Sequence, residues 1–216
     1  MPKIAFFINP TIRHFKKIEI DIQHHFLNQD YQFFISEYSG HFLTLPKRAV
    51  EEGFTHFIAV GGDGTLNEIV NGLIEAFRTE NGYDWERISQ IKIGILPSGS
   101  GNYFIKNLGY TTIDELQSLI AKDSSALVDV GFAEFLIREK QKAERFFINV
   151  SDVGIGGEVV ISKERLPLVF PGDVNYFIAI LSTFLMYKKK TIKVTAKDFT
   201  WQGKVLNYVV ANAKYF

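Results

Sequence analysis

The chain has 216 residues, 24 basic and 24 acidic, so its formal net charge is zero. That balance argues against a nucleic-acid binder, which is normally basic. With no cysteine, disulfides, thiolate catalysis and cysteine metal sites are excluded, and a reducing, cytoplasmic setting is the expectation. The apolar content of 46%, with 20 Phe, is enough for an aromatic-rich core in one large or two small domains.

In chain order, Lys3–Ile8 reads as a buried strand ended by Asn9-Pro10, too short for the apolar stretch of a signal peptide. Phe15, Ile18, Ile22 and Phe26 then recur at helical spacing. Tyr31–Ser36 is a second strand, punctuated by Ser39-Gly40, and a short helix runs through Glu52. Phe54–Val60 is a third strand. It breaks into Gly61-Gly62-Asp63-Gly64-Thr65, followed by a helix with Leu66, Ile69, Val70, Leu73, Ile74 and Phe77 on one face. Residues 79–90 read as a polar loop. Lys92–Leu96 is a fourth strand, leading to Pro97-Ser98-Gly99-Ser100-Gly101-Asn102 and then a helix capped by Thr112.

This alternation predicts a doubly wound parallel sheet, an α/β domain over residues 1–122. Past Asp123-Ser124-Ser125 the pattern changes. Ala126–Ile137 and Phe146–Ser151 read as strands around a charged turn, and Thr191–Ala196 and Lys204–Ala213 as further strands. Residues 123–216 are therefore expected to form part of an antiparallel β-sandwich domain. Tyr176–Tyr187 is uncharged, but twelve residues are too few to span a bilayer. A buried core helix is the preferred reading. A membrane-touching helix aided by Lys188-Lys189-Lys190 is the alternative.

The chemistry concentrates in the two glycine turns. Strand, glycine turn and helix in that order make a phosphate cradle, because glycine lets backbone N–H groups approach oxygens and the helix adds its positive end. Two such turns at the carboxyl ends of parallel strands suit a bridging nucleotide. Thr65 and Glu68 read as a Thr-x-x-Glu capping box that also touches ligand, and Asn67 sits on the polar side of the first turn. Asp63 is the awkward group beside a phosphate. It can bind Mg2+, hydrogen-bond a hydroxyl, act as base for an incoming hydroxyl, or simply tie an Asx turn. In the second turn, Ser98 or Ser100 can donate to phosphate and Asn102 can bond ribose or base.

Gly61-Gly62-Asp63-Gly64-Thr65-Leu66-Asn67-Glu68-Ile69-Val70-Asn71-Gly72-Leu73 closely resembles the signature of the diacylglycerol kinase, sphingosine kinase and bacterial lipid kinase catalytic domain, more distantly similar to NAD kinases. Asn9-Pro10, Ser39-Gly40-His41, Leu96–Asn102, Asp129-Val130-Gly131, Phe147–Val150 with Gly154 and Gly156, and Gly172 with Tyr176 resemble further family segments. His41 also reads as a core or capping residue. The resemblance implies an ATP-dependent lipid kinase that transfers the γ-phosphoryl group to a lipid hydroxyl with Mg2+, in phospholipid metabolism. Asn9, Pro10, Gly61, Gly62, Asp63, Gly64, Thr65, Asn67, Glu68, Ser98, Gly99, Ser100, Gly101 and Asn102 would hold nucleotide, with Asp63 as the catalytic candidate. Its partners would be ATP and a lipid at a membrane surface. An NAD kinase-like enzyme and a catalytically impaired nucleotide-binding module are the alternatives. Three departures accompany the resemblance. Thr11-Ile12-Arg13 replace a Ser-Gly after Asn-Pro, Tyr103 replaces an Asp, and family members usually extend past the position of Phe216 with further carboxylates.

Overall fold

Central strands of a parallel sheet are covered on both faces, so they read as unbroken apolar runs. β1 (Lys3–Ile8) and β3 (His56–Gly61) are such runs, and Ile4 to Ile8 are all fully buried. The computed structural model describes residues 2–98, 102–137, 140–165 and 172–214. Between β1 and β3 come α1 (Phe15–His25), β2 (Asp30–Ile35), a 3₁₀ turn (His41–Leu43) and α2 (Leu45–Glu51). α3 (Asp63–Ala76) follows. Next come a small hairpin of β4 (Arg78–Thr79) and β5 (Gly82–Tyr83), α4 (Trp85–Ile88), β6 (Lys92–Pro97), a second 3₁₀ turn (Phe104–Asn107) and α5 (Ile113–Ala121). The four long strands pair in parallel in the order β2-β1-β3-β6.

The chain steps from β1 outward to β2, then crosses back to β3 and on to β6. The connecting helices therefore cover opposite faces, α1 packing with α5 and α2 with α3. Alternation along β1 serves both faces. Phe6 meets Phe26 after α1 edge-on at 5.0 Å, while Phe7 meets Phe42 of the first 3₁₀ turn at 6.3 Å. The expected doubly wound sheet is present, and its topological switch point lies between the carboxyl ends of β1 and β3.

Several local expectations are corrected. α3 begins at Asp63, not after Thr65: Gly62 is its N-cap, in extended backbone, and no side chain caps it. Thr65 and Glu68 therefore form no capping box. The loop expected at 79–90 holds β4, β5 and α4, the last capped by Asp84, which accepts the Arg87 N–H at 3.1 Å. Thr112 does cap α5, reciprocally with Glu115. Residues 126–130 are not a strand; the hairpin is β7 (Gly131–Leu136) with β8 (Lys142–Phe147), whose charged residues lie on an exposed ladder.

By contacts, Met1–Asn149 together with Asn212–Phe216 form one compact unit and Val150–Ala211 another. Residues 123–149 thus group with the parallel sheet, beyond the division at 122 that helix alternation suggests. Taken by itself, the second unit pairs β9 (Val150–Gly154) with β12 (Asn207–Ala211) and β10 (Lys190–Ala196) with β11 (Phe199–Val205), all antiparallel. One strand expected over 204–213 is thus two, broken at Leu206. α6 (Ile155–Arg165), unread in the sequence, packs on α7 (Gly172–Met186), where Thr183 donates to Ser162 at 2.9 Å. α7 is not the expected core helix on its outer side: Phe177, Phe184, Leu185 and Met186 are exposed. Among the described residues no helix is long and apolar enough to cross a membrane.

His56 starts β3 almost fully buried. Burial first, then neighbouring Lys92, holds its imidazole below the ordinary 6.5, with Asp123 opposing. A lowered folded value means the unfolded chain takes the proton first as pH falls, so stability drops below about pH 6.5. Urea midpoints at about pH 7 and about pH 5 should show this loss, and His56→Gln should flatten it.

Candidate functional site

The carboxyl ends of β1 and β2 and the first turns of α3 meet around a cavity of about 440 Å³. Asn9, Pro10, Thr11, Ser36, Glu37, Tyr38, Thr65 and Glu68 line it. The site begins where β1 stops. Asn9 Oδ1 accepts the Thr11 N–H at 2.9 Å and the Thr11 hydroxyl at 2.7 Å, so the Asn9 side chain closes its own turn. Opposite, the loop after β2 is held by His41, whose Nδ1 accepts the Glu37 N–H at 3.1 Å. The ring also stacks on Tyr38 at 4.3 Å, so His41 ties this loop and caps no helix.

At Gly61, the last residue of β3, any larger residue would have to displace Thr65. A Cβ there would lie 2.6 Å from Thr65 Oγ1, since Thr65 folds back over the turn. At Gly64 a Cβ would meet no described atom within 4 Å, so packing does not demand glycine there. Open space beside an uncapped helix N-terminus is the geometry that accepts an anion's oxygens. With no capping box, Thr65 and Glu68 are free to face the cavity.

Asp63 turns away from a simple local role. Its two carboxylate oxygens accept the Tyr103 and Phe104 N–H groups, each at 2.9 Å, at the start of the second 3₁₀ turn. The Ser98 N–H donates to the Gly61 carbonyl at 3.1 Å. The two glycine turns are thus tied to each other directly, Asp63 acting across 40 residues. Ser98 Oγ is buried without a hydrogen-bond partner among the described residues, and Asn102 adopts a left-handed backbone, φ 49°. Gly99, Ser100 and Gly101 lie outside the described residues.

Asn67 Oδ1 accepts the Ile148 N–H at 3.3 Å, and buried Asn71 bonds both backbone groups of Phe146. Ser36, Glu37 and Tyr38 were not singled out in the sequence, and Thr11 and Asn71 stood there only within family segments, with no role assigned. Besides its place in that signature, Asn71 is an amide on a helix side that is otherwise apolar. A larger cavity, about 560 Å³, lies beside β6 and is lined by apolar groups such as Leu66, Val70, Ile93 and Leu116. Its lining offers a phosphate little, so chemistry rather than size selects the smaller cavity. Among the described residues no group of three or more acidic or histidine side chains is placed to hold a metal.

An open α/β sheet with a glycine turn at its switch point defines the class of fold that binds ligands outside its strand ends. A model of the diacylglycerol kinase catalytic domain matches residues 3–133, more than half of the chain, and the chain belongs to that family. It is 28% identical over 165 residues to a diacylglycerol kinase of Staphylococcus carnosus, covering 76% of this chain and 47% of that one. It is 26% identical over 171 residues to a probable lipid kinase, YegS-like, of Pseudomonas putida, covering 79% and 51%. The chain thus spans about half the length of these curated relatives. In fold it is similar to a crystal structure of a diacylglycerol kinase from Bacillus anthracis, with TM-score 0.55 at 22% identity over 99% of this chain and 65% of that one. A further crystal structure from the same bacterium gives TM-score 0.62 at 19% identity, covering 99% and 66%.

Proposed function

We propose that this kinase-family chain serves an ATP-dependent lipid kinase, transferring the γ-phosphoryl group to a lipid hydroxyl. The observation that carries this is the uncapped N-terminus of α3, whose Thr65 and Glu68 line a cavity together with Asn9, Thr11 and Glu37. Backbone N–H groups at 62–65 would bind phosphate oxygens and the helix dipole would favour their charge. Thr65 and Glu68, with Asn9 and Thr11 across the cavity, would orient the nucleotide. Catalysis of this kind is mostly positioning and electrostatics.

Mg2+ commonly binds through one or two carboxylates plus substrate phosphates, so the lack of a three-ligand cage among the described residues is compatible with it. Glu37 or Glu68 would hold the ion, which would offset phosphate charge. Exposed Phe177, Phe184, Leu185 and Met186, followed by Lys188-Lys189-Lys190, suit a cytoplasmic membrane surface bearing anionic lipid.

The test is incubation of the protein with γ-labelled ATP and vesicles carrying extracted lipids, with NAD in a parallel arm. Label in a lipid is the expected result. Label in NAD alone would instead identify an NAD kinase-like enzyme, and calorimetric ATP binding without any transfer would identify a nucleotide-binding module.

A further inference from the structure

The run Phe146–Asn149 is held by asparagine side chains where a sheet would use a second strand. Asn71 Nδ2 donates to the Phe146 carbonyl and its Oδ1 accepts the Phe146 N–H, both at 2.9 Å. One turn earlier on α3, Asn67 Oδ1 accepts the Ile148 N–H at 3.3 Å. Asn212 Nδ2 then donates to the Ile148 carbonyl at 3.1 Å and to the Asp129 carbonyl at 2.6 Å. The spacing explains why a helix can do this. Four helical residues rise about 6 Å and two strand residues about 6.6 Å, so positions i and i+4 meet alternate residues of an extended chain. A carboxamide presents a neutral donor and an acceptor side by side, which matches the two backbone groups of Phe146.

We propose that Asn67 and Asn71 are positioning residues of the candidate site, an inference that rests on the kinase reading above. They fix the register of residues 146–148, and through Asn212 the backbone of Asp129, to the same helix whose first turn faces the phosphates. α3 is then a rigid ruler between the glycine turn and the Asp129-Val130-Gly131 segment. Asn67, read in the sequence as a nucleotide contact, instead commits its oxygen to Ile148.

The test compares Asn67→Ala, which removes the accepting oxygen, with Asn67→Asp, which keeps it. Four quantities are read: exchange of the Ile148 amide by NMR, ATP affinity by calorimetry, and kcat and acceptor KM at saturating ATP. Losing one hydrogen bond to a part-buried amide should speed Ile148 exchange about tenfold and lower kcat about tenfold in Asn67→Ala, with ATP affinity changing much less. Asn67→Asp should recover most of both losses. Weakened ATP binding with unchanged Ile148 protection would overturn the proposal in favour of a ligand contact. Faster exchange with unchanged kcat would overturn it in favour of a purely structural clamp. An unsubstituted chain that binds ATP but transfers nothing sinks the kinase reading itself, a result separable from both.

Discussion

Asp63→Asn is expected to weaken ATP binding about tenfold to a hundredfold and to lower phosphoryl transfer by at least as much. The carboxylate accepts one amide on each oxygen, Tyr103 on one and Phe104 on the other. Asparagine keeps one oxygen and presents an NH2 group to the other amide, setting donor against donor. A hydrogen bond to a charged acceptor contributes about 1.5–3 kcal/mol, and each 1.4 kcal/mol is about tenfold in affinity. The negative charge at the first residue of α3 also favours that helix end. The substitution therefore loosens the second glycine turn from the first before any chemistry begins. Amide exchange at Tyr103 and Phe104 in the absence of nucleotide reads this directly and should accelerate. Unchanged exchange and intact ATP binding, with transfer alone lost, would return Asp63 to the role of metal or hydroxyl ligand that its place in the glycine turn suggests.

Why Asp63 looked like a lone catalytic group is itself instructive. Its partners are backbone amides some 40 residues away, and backbone amides carry no sequence signature. The same holds for Asn71 and Phe146, 75 residues apart, and for Asn67 and Ile148, 81 apart. The parallel strands were legible because β1 and β3, buried on both faces, must be continuously apolar. The helix after the glycine turn was legible in type but not in start. Thr65-x-x-Glu68 fits the local capping pattern, while extended Gly62 lets the helix begin two residues before Thr65. Ser36, Glu37 and Tyr38 reach the site only because β2 lies beside β1 in the sheet, an order the sequence does not state. α6 escaped because its residues show no clear apolar stripe, and the charged residues 142–145 hid a strand whose side chains lie on an exposed hairpin.

Gly72→Ala is expected to destabilise the parallel-sheet unit by about 2–3 kcal/mol in urea unfolding. Gly72 is buried mid-helix in α3, where alanine would ordinarily gain up to about 1 kcal/mol over glycine. Here the added Cβ would lie 2.6 Å from the Phe42 carbonyl oxygen, 3.0 Å from that of Leu43 and 2.9 Å from Pro46 Cγ. Two of these three atoms are backbone, so no side-chain rotation relieves the clash; the first 3₁₀ turn and the start of α2 must retreat from α3. That turn follows directly on the loop that carries Glu37, Tyr38 and His41 beside the candidate cavity, so ligand affinity should fall with stability. Gly157→Ala in α6 is the matched control, since a Cβ there meets no described atom within 4 Å and alanine should be neutral or stabilising. If Gly72→Ala unfolds within about 0.5 kcal/mol of the unsubstituted chain, the packing of α3 on the His41–Leu43 turn is compliant, and that helix cannot hold the site as rigidly as the asparagine clamp requires.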